Sequence, residues 1–538
     1  MEQGPNELKA FSLEKITVVL HGALLAAFAA MLLLKAYTTL EWRMEHDTPL
    51  LHYAAFLMLQ NDLIPYRDFF ETSMPGTFAL HYAIVRLFGY GDAAFRYIDL
   101  TLLGALLTAT YLFMRRFGHS AAAWGLILFG LIYLSKGQVM SLQRDYIGVI
   151  PVAFSLLVIP ATLGTPVRLG RFALVGVLFG LSAIIKPHLV IAFPIVFWAL
   201  YSFQRQARQN TSSGFHICAA VSIASLLVPV ILAFAWLASR SALAPFLDMV
   251  FHYLPLHSAM DGNHKTISGM DRVYYVLRST SMLGGYIALF VCSLCGGYLA
   301  WKRSNNDKAA RISLICLGLC TLAYAIYPAP AGKFWPYHYM PFAYFCALSA
   351  SLCLSGFVWS TNTSASAANG WRLQAAKIFP VFMLVIAASI QLPLHKFVHT
   401  LSADLRAGPE AHAPKWGDVD EIAAWLKSRA KPGDAVQPLD WADGGIHAML
   451  LSETRLATHF LYEYHFYHHI SSPYIQGLRQ SFITQLRATQ PRFIVKIRSR
   501  MPWGEDTTNQ FPELQKFISD NYVVARAGQY YIIYELVA

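Results

Sequence analysis

Charge is scarce in this chain. Asp, Glu, Lys and Arg together make up 14% of 538 residues, while hydrophobic residues make up 56%; a soluble domain is roughly a quarter charged. That balance excludes a chain folding in water alone and identifies a polytopic membrane protein. Cysteine is sparse too. The seven present, Cys218, Cys292, Cys295, Cys316, Cys320, Cys346 and Cys353, fall in or beside apolar runs, and residues 393–538 have none. No disulfide framework is implied, and Cys292-x-x-Cys295 on a membrane helix reads as small polarizable hydrophobes. No glycine-rich phosphate loop or dinucleotide fingerprint opens a strand-helix unit, which leaves ATP-driven and nucleotide-sugar chemistry with little support. The net charge of +11 needs no nucleic-acid partner, because basic loops beside anionic lipid account for much of it.

What the chain does have is long apolar runs. Those near 16–38, 94–114, 121–135, 146–163, 172–186, 188–203, 214–238, 284–301, 312–327, 340–357 and 376–392 predict about eleven spans. The first is followed by no small-residue cleavage site, so it reads as a retained span and not a signal peptide. Basic residues recur in alternate loops, among them Lys9 and Lys15, Arg115 and Arg116, Arg168 and Arg171, Arg205, and Lys302 and Arg303. This puts the N-terminus in the cytoplasm and the protein in the inner (plasma) membrane. The expected fold class is a polytopic α-helical membrane domain over 1–392, with a large first external loop at 39–93. Residues 393–538 are expected as an α/β domain in the periplasm or cell exterior. An acidic first turn at Asp418–Glu421 opens a helix reaching Ala430, and Ala435-Val436, Phe493–Val495 and Tyr530–Tyr534 read as strands, with helices near 474–489 and 512–520.

Ionisable chemistry gathers at three places in the external loops. In the first loop, Glu45-His46-Asp47 precedes an apolar helical stretch, Thr48 to Gln60, and then come Pro65-Tyr66-Arg67-Asp68-Phe69-Phe70-Glu71 and Met74-Pro75-Gly76. Asp47 could cap that helix while it lies along the membrane interface; a carboxylate fixed there is equally placed to take a proton from an acceptor hydroxyl. The second place is Gln143-Arg144-Asp145. Its charges could simply snorkel to the interface, or Arg144 could bind a phosphate through its planar fork while Asp145 shapes the site or holds a metal. The third is Lys333-Phe334-Trp335-Pro336-Tyr337-His338-Tyr339. An aromatic belt explains the rings but not Lys333 and His338, cations suited to a lipid phosphate. Lys186 and His188, flanking Pro187 at an outer turn, would extend the cationic floor. In the C-terminal segment, His459, His465, His468 and His469 among Tyr462, Tyr464 and Tyr467 suggest an aromatic surface for glycan or membrane more than a zinc site. Asp440, Trp441 and Asp443 could line an acceptor groove.

The order of these features resembles bacterial GT-C membrane glycosyltransferases, of the kind that includes protein O-mannosyltransferases and the lipid A aminoarabinose transferase. The resemblance rests on His46-Asp47, the Pro65–Phe70 stretch, Pro75-Gly76, Gln143-Arg144-Asp145 and Lys333–His338, and it spans roughly 10–395. It implies inverting transfer of a sugar from a polyprenyl-phosphate donor to a glycan, lipid or protein acceptor outside the cell. By position, Asp47 matches the acidic residue that acts as base or orients the acceptor, and Arg144, Lys333 and His338 match cations facing the donor phosphate. Many relatives carry Asp-Glu where this chain has His46-Asp47, which makes Glu45 a competing base. They often carry Arg-Glu where it has Arg144-Asp145, and Asp145 is the third catalytic candidate. Tyr66, Arg67, Asp68, Trp335 and Tyr337 are the expected substrate contacts. No metal ligand is assigned, and the cofactor is left open, with a divalent cation allowed. The rivals are a flippase or transporter of lipid-linked saccharides, which would concentrate charge at the midplane, a glycan ligase or polymerase, and a non-catalytic assembly partner.

Overall fold

A computed structural model describes residues 5–164, 166–207, 214–305, 307–355, 370–392, 394–406, 418–431, 433–441 and 444–537. Asp443, and Arg208 in the same basic loop as Arg205, do not fall among them. The first part of the chain is helical: α1 (Pro5–Thr38), α2 (Asp47–Gln60), α3 (Pro75–Phe88), α4 (Asp92–Met114), α5 (His119–Ser135), α6 (Arg144–Leu157), α7 (Leu169–Ile185), α8 (Phe193–Ala207) and α9 (Phe215–Ser239). A short-helix region follows with α10 (Leu243–Asp248), α11 (Leu254–Ser258), the two-residue strand β1 (Lys265–Thr266) and the amphipathic α12 (Gly269–Ser281). Then come α13 (Ile287–Arg303), α14 (Lys308–Ile326), α15 (Met340–Ser351), α16 (Gly370–Gln391) and α17 (Leu394–Asp404).

The protein is a multi-pass membrane protein. Among the described residues five helices are long and apolar enough to cross a bilayer, or six when α12 and α13, bent by 72° at their junction, count as one span. The eleven expected spans are therefore not matched one for one. The runs read at 146–163 and 340–357 form helices of 14 and 12 residues, and His119–Ser135 and Leu169–Ile185 are short apolar helices as well. The shortfall has a cause. Each of α5, α6, α7 and α15 gives way at one end to an irregular or 3₁₀ turn carrying polar residues, Gln138–Met140, Gln143, Lys186 with Pro187–Ala192, and Pro336–Tyr339. Non-helical backbone at membrane depth is tolerated where it lines a cavity and not where it meets lipid.

The C-terminal part begins with α18 (Val419–Arg429), β2 (Ala435–Leu439), α19 (Gly445–Ser452) and β3 (Arg455–Leu456). It continues through α20 (Pro473–Thr489), β4 (Phe493–Ile497), β5 (Trp503–Gly504), α21 (Pro512–Asn521), β6 (Tyr522–Ala527) and β7 (Tyr531–Leu536). Five strands form one sheet in the order β3-β2-β4-β7-β6; β2 runs parallel to β3 and β4, and β7 antiparallel to β4 and β6. Val436, Leu439, Phe493 and Val495 of the strands and Ile422, Leu426 and Met449 of the helices are all buried, and Trp425 of α18 packs edge-on against Phe493 at 5.0 Å.

This part is clamped onto the first loop. The Arg43 guanidinium bridges Asp92 at 2.6 Å and Asp420 at 2.6 Å, Tyr53 donates to the Thr454 carbonyl at 2.8 Å, and the Phe70 amide donates to the His459 carbonyl at 2.7 Å. Two expectations change here. Every residue of α2 from Thr48 to Leu57 is buried, because α3 lies on one side and α19 on the other; it does not lie along the interface. The histidine–tyrosine stretch is not an exposed surface either. Tyr462, Tyr464, Tyr467, His465 and His468 are all buried, with Tyr253 bonded to His465 at 2.5 Å and to His468 at 3.2 Å, so they seal the C-terminal part against the segment of α10 and α11.

Candidate active site

Four separate turns bring charge to one place. Asp47 starts α2, and its carboxylate does not serve the helix end. It takes a hydrogen bond of 2.7 Å from Arg144, while His46 lies 2.9 Å from the other oxygen. Arg144 starts α6 and also donates to the Ser73 hydroxyl at 2.8 Å. Ser73 is itself held, since its amide donates to Glu71 at 2.5 Å and its carbonyl accepts from Tyr66 at 2.5 Å. Below them, the buried Asp99 accepts from Arg96, from Tyr133 at 2.6 Å and from the Leu142 amide at 2.9 Å, which fixes the turn leading into Arg144. Thr48 donates to the Ser141 carbonyl at 2.9 Å and ties that turn to α2.

The backbone presenting these groups is unusual. His46, Tyr66, Leu142 and Phe334, each within two residues of a charged candidate, all have positive φ, at 60°, 68°, 51° and 52°. Such positions cost about 1–3 kcal/mol each and persist only where the surroundings over-determine them.

Arg144, Lys186, His188, Lys333, Trp335 and His338 line a single cavity of about 830 Å³. Opposite these polar groups its wall is apolar, made by Val230, Ala233 and Phe234 of α9 with Leu247, Phe251 and Leu254. Asp145 is fully buried, accepts from Tyr327 at 2.6 Å, and lies 3.8 Å from the Lys186 ammonium. Lys333 is only 3% exposed, and its ammonium has no hydrogen-bond partner among the described residues; the Trp335 ring is centred 5.8 Å away. Burial, helped by Arg272 and opposed by Asp261, pulls the Lys333 amine down to about 7. A buried cation without a partner is costly, and an anion placed in the cavity would offset that cost.

The candidates sort by place. Asp47, Arg144, Lys186, His188, Lys333, Trp335 and His338 come together. Tyr337 packs edge-on against His46 at 5.8 Å, within the same group. Arg67 and Asp68 do not join them: they pair with each other at 2.6 Å, and Arg67 reaches the Arg240 carbonyl. Tyr66 is buried and supports Ser73 instead of facing the cavity. Glu45 is half-buried, and neither it nor Asp47 is among the residues that line the cavity; Asp47 is joined to it through Arg144. One expectation changes: His338 was expected as a cation, but burial drives its imidazole down to about 3 against the pull of Asp145, which favours the neutral form. Asp145 is buried, with Tyr327 on one carboxylate oxygen and the Lys186 ammonium 3.8 Å from the other. Ser73 and His257, which also line the cavity, carried no pattern that would have marked them; their place depends wholly on how the helices pack. Among the described residues no group of three or more His, Cys, Asp or Glu could hold a metal ion.

No family model matches the chain, and no curated protein matches it. Solved structures do. ArnT from Cupriavidus metallidurans bound to undecaprenyl phosphate superposes with a TM-score of 0.58 at 14% identity, over 96% of this chain and 98% of that one. The same protein in the apo state gives 0.57 at 13% identity over the same shares. At that identity what is shared is the fold. Over nearly its whole length this chain shares its fold with ArnT.

Proposed function

We propose that this protein is an integral-membrane glycosyltransferase that moves a sugar from a polyprenyl-phosphate donor to an acceptor outside the cell, by inverting displacement. One observation carries the reading: a single cavity joins Arg144, Lys186 and Lys333, whose ammonium has no hydrogen-bond partner among the described residues, to an apolar wall, a match for an anionic headgroup on a hydrocarbon chain. The complex of ArnT, which has the same fold, with undecaprenyl phosphate supports this reading.

In the reaction an acceptor hydroxyl attacks the anomeric carbon, the carbon–oxygen bond to phosphate breaks, and its electron pair leaves with the phosphate. Arg144, Lys186 and protonated Lys333 meet that charge as it develops. The hydroxyl proton passes to Asp47 and then to water. Although burial opposes it, His46 and Arg144 hold the Asp47 carboxyl well below the usual carboxylate range, which makes it a weak base. A weak base suffices when the transition state is oxocarbenium-like and the hydroxyl becomes acidic only as the new bond forms. Trp335 and Tyr337 are assigned to the sugar. Basic residues on the far face, including Arg115, Arg171 and Arg303, support a cytoplasmic N-terminus, with the cavity and C-terminal part on the outer side of the inner membrane.

The test compares lipid-linked sugars and surface glycans by mass spectrometry in cells with wild-type protein, no protein, or Asp47→Asn at matched abundance. Loss of one sugar with accumulation of its prenyl-linked donor in both altered strains is expected. An unchanged glycan in the Asn variant beside a defect in the deletion would remove Asp47 from the mechanism.

A further inference from the structure

A second gathering of cations lies at the opposite membrane face. α4 starts at Asp92, in the Arg43 cluster, and runs for 23 residues, so Arg115 lies about 35 Å from it at ~1.5 Å per residue. Here Arg115, Arg116, His119 and Arg171 line a pocket of about 660 Å³, with Leu112 and Leu157 among its walls. Among the described residues no Asp or Glu lines it.

Basic residues at this face are expected from topology alone, but a topology signal needs no built pocket. Arg116 makes one. Its guanidinium donates to the carbonyls of Phe113 at 3.0 Å, Ile159 at 3.1 Å and Pro160 at 3.2 Å, and to the Ser313 hydroxyl at 3.1 Å. It thereby closes the end of α6 onto α4 and α14, and forms a fixed floor. Arg115 and Arg171 stand exposed above that floor, and His119 is held by Tyr111 at 2.8 Å. Leu112, 41% exposed on α4, continues the pocket toward the hydrocarbon.

We propose that this pocket binds the phosphate of an anionic phospholipid headgroup, with Arg115 and Arg171 on the phosphate and the acyl chains along Leu112 and Leu157. The pocket has the volume of a small-molecule site, and basic pockets between membrane helices on the cytoplasmic side suit anionic headgroups. A soluble phosphate would use the same arginines but gain nothing from the leucines.

The test is native mass spectrometry of the full chain in detergent, titrated with phosphatidylglycerol, phosphatidylcholine or glycerol phosphate. The comparison is between wild type, Arg115→Gln/Arg171→Gln, and Arg168→Gln/Arg205→Gln, which removes equal charge at the same face outside the pocket. The pocket variant is expected to bind phosphatidylglycerol about tenfold more weakly, with phosphatidylcholine binding and thermal stability unchanged and the control within about twofold. Equal weakening in the control, no weakening in the pocket variant, or displacement of the lipid by an equal concentration of glycerol phosphate would each overturn the proposal. Should the double variant fail to fold, Arg115→Gln alone, at an exposed side chain, is read in the same way.

Discussion

Donor binding should take up a proton, and Lys333 should be the group that takes it. The amine sits at about 7 in the empty cavity, so it is half charged at pH 7 and about 1% charged at pH 9. A phosphodiester placed against it restores the charged form. By linkage, affinity then falls as the charged fraction of the free protein falls. If the bound amine stays protonated through pH 9, the ratio of charged fractions gives a rise in donor Kd of about 50-fold between pH 7 and 9. The stability of the empty protein moves the other way. The folded amine lies below its ordinary 10.5, so the unfolded chain binds more protons between about 7 and 10.5, and stability rises with pH through that window. Asp47 stays ionised throughout and contributes no slope. The assay is calorimetric titration of the full chain in nanodiscs with a short polyprenyl phosphodiester, in two buffers of different ionisation enthalpy. Wild type should take up close to one proton per ligand at pH 8, and Lys333→Arg none, with a flat Kd. A flat wild-type profile, or an equal slope in Lys333→Arg, would refute the reasoning.

Asp47→Asn should lower the transfer rate by about 10²–10⁴-fold while donor Kd changes little, read by single-turnover transfer beside the binding assay; a loss confined to donor binding would make Asp47 only a partner for Arg144. Gly76→Ala would set a Cβ 2.6 Å from Ile184, on the wall between the main cavity and a neighbouring crevice of about 650 Å³. It should destabilise by about 1–3 kcal/mol and weaken donor binding, measured by thermal unfolding in detergent and by titration. Asp99→Asn leaves Arg96 buried without its counter-charge and should cost about 3–5 kcal/mol; an unchanged unfolding transition would show that the turn before Arg144 holds without it.

Much of this architecture is written at the level of composition and short stretches. The apolar runs mark the membrane helices, and Phe493–Val495 and Tyr530–Tyr534 fall on β4 and β7. Period and length are local properties. Span count was harder to read, because a hydropathy run continues through turns such as Pro336–Tyr339 that end a helix inside the fold. The site was legible wherever a charge stands beside an apolar run, as at Asp47, Arg144, Lys186 and Lys333. What a linear reading cannot supply is solvation. His338 and Lys333 lie five residues apart and read alike as cations, yet burial leaves one neutral and the other half charged at neutral pH. Arg67-Asp68 and Arg144-Asp145 are both Arg-Asp pairs, and only packing shows that Arg67 turns toward the Arg240 carbonyl while Arg144 lines the cavity and Asp145 is buried beside Lys186.

Why the C-terminal part should matter to chemistry done in the membrane follows from the loop it holds. Asp47 follows a residue at φ 60°, a conformation that a free loop would relax at once to recover about 1–3 kcal/mol. The strain persists because the loop is tied from both sides. Arg144 and Ser141 grip it from the membrane helices, while Asp420 and His447 reach the Arg43–Asp92 pair from above. His447 is 2% exposed, so its contact with Asp92 lies under protein, whereas Asp420 is 61% exposed and its pair with Arg43 contributes little. The same clamp takes the Phe70 amide and the Tyr53 hydroxyl, and so holds the middle of α2 and the stretch before Ser73. A carboxylate that must stay within a hydrogen bond of Arg144 cannot depend on an unsupported loop, because a misplacement of about 1 Å costs on the order of 10²-fold in rate. In this reading the C-terminal part is the outer half of the active-site scaffold, and the His447–Asp92 contact, with the bonds from the Phe70 amide and the Tyr53 hydroxyl, is the joint through which it acts.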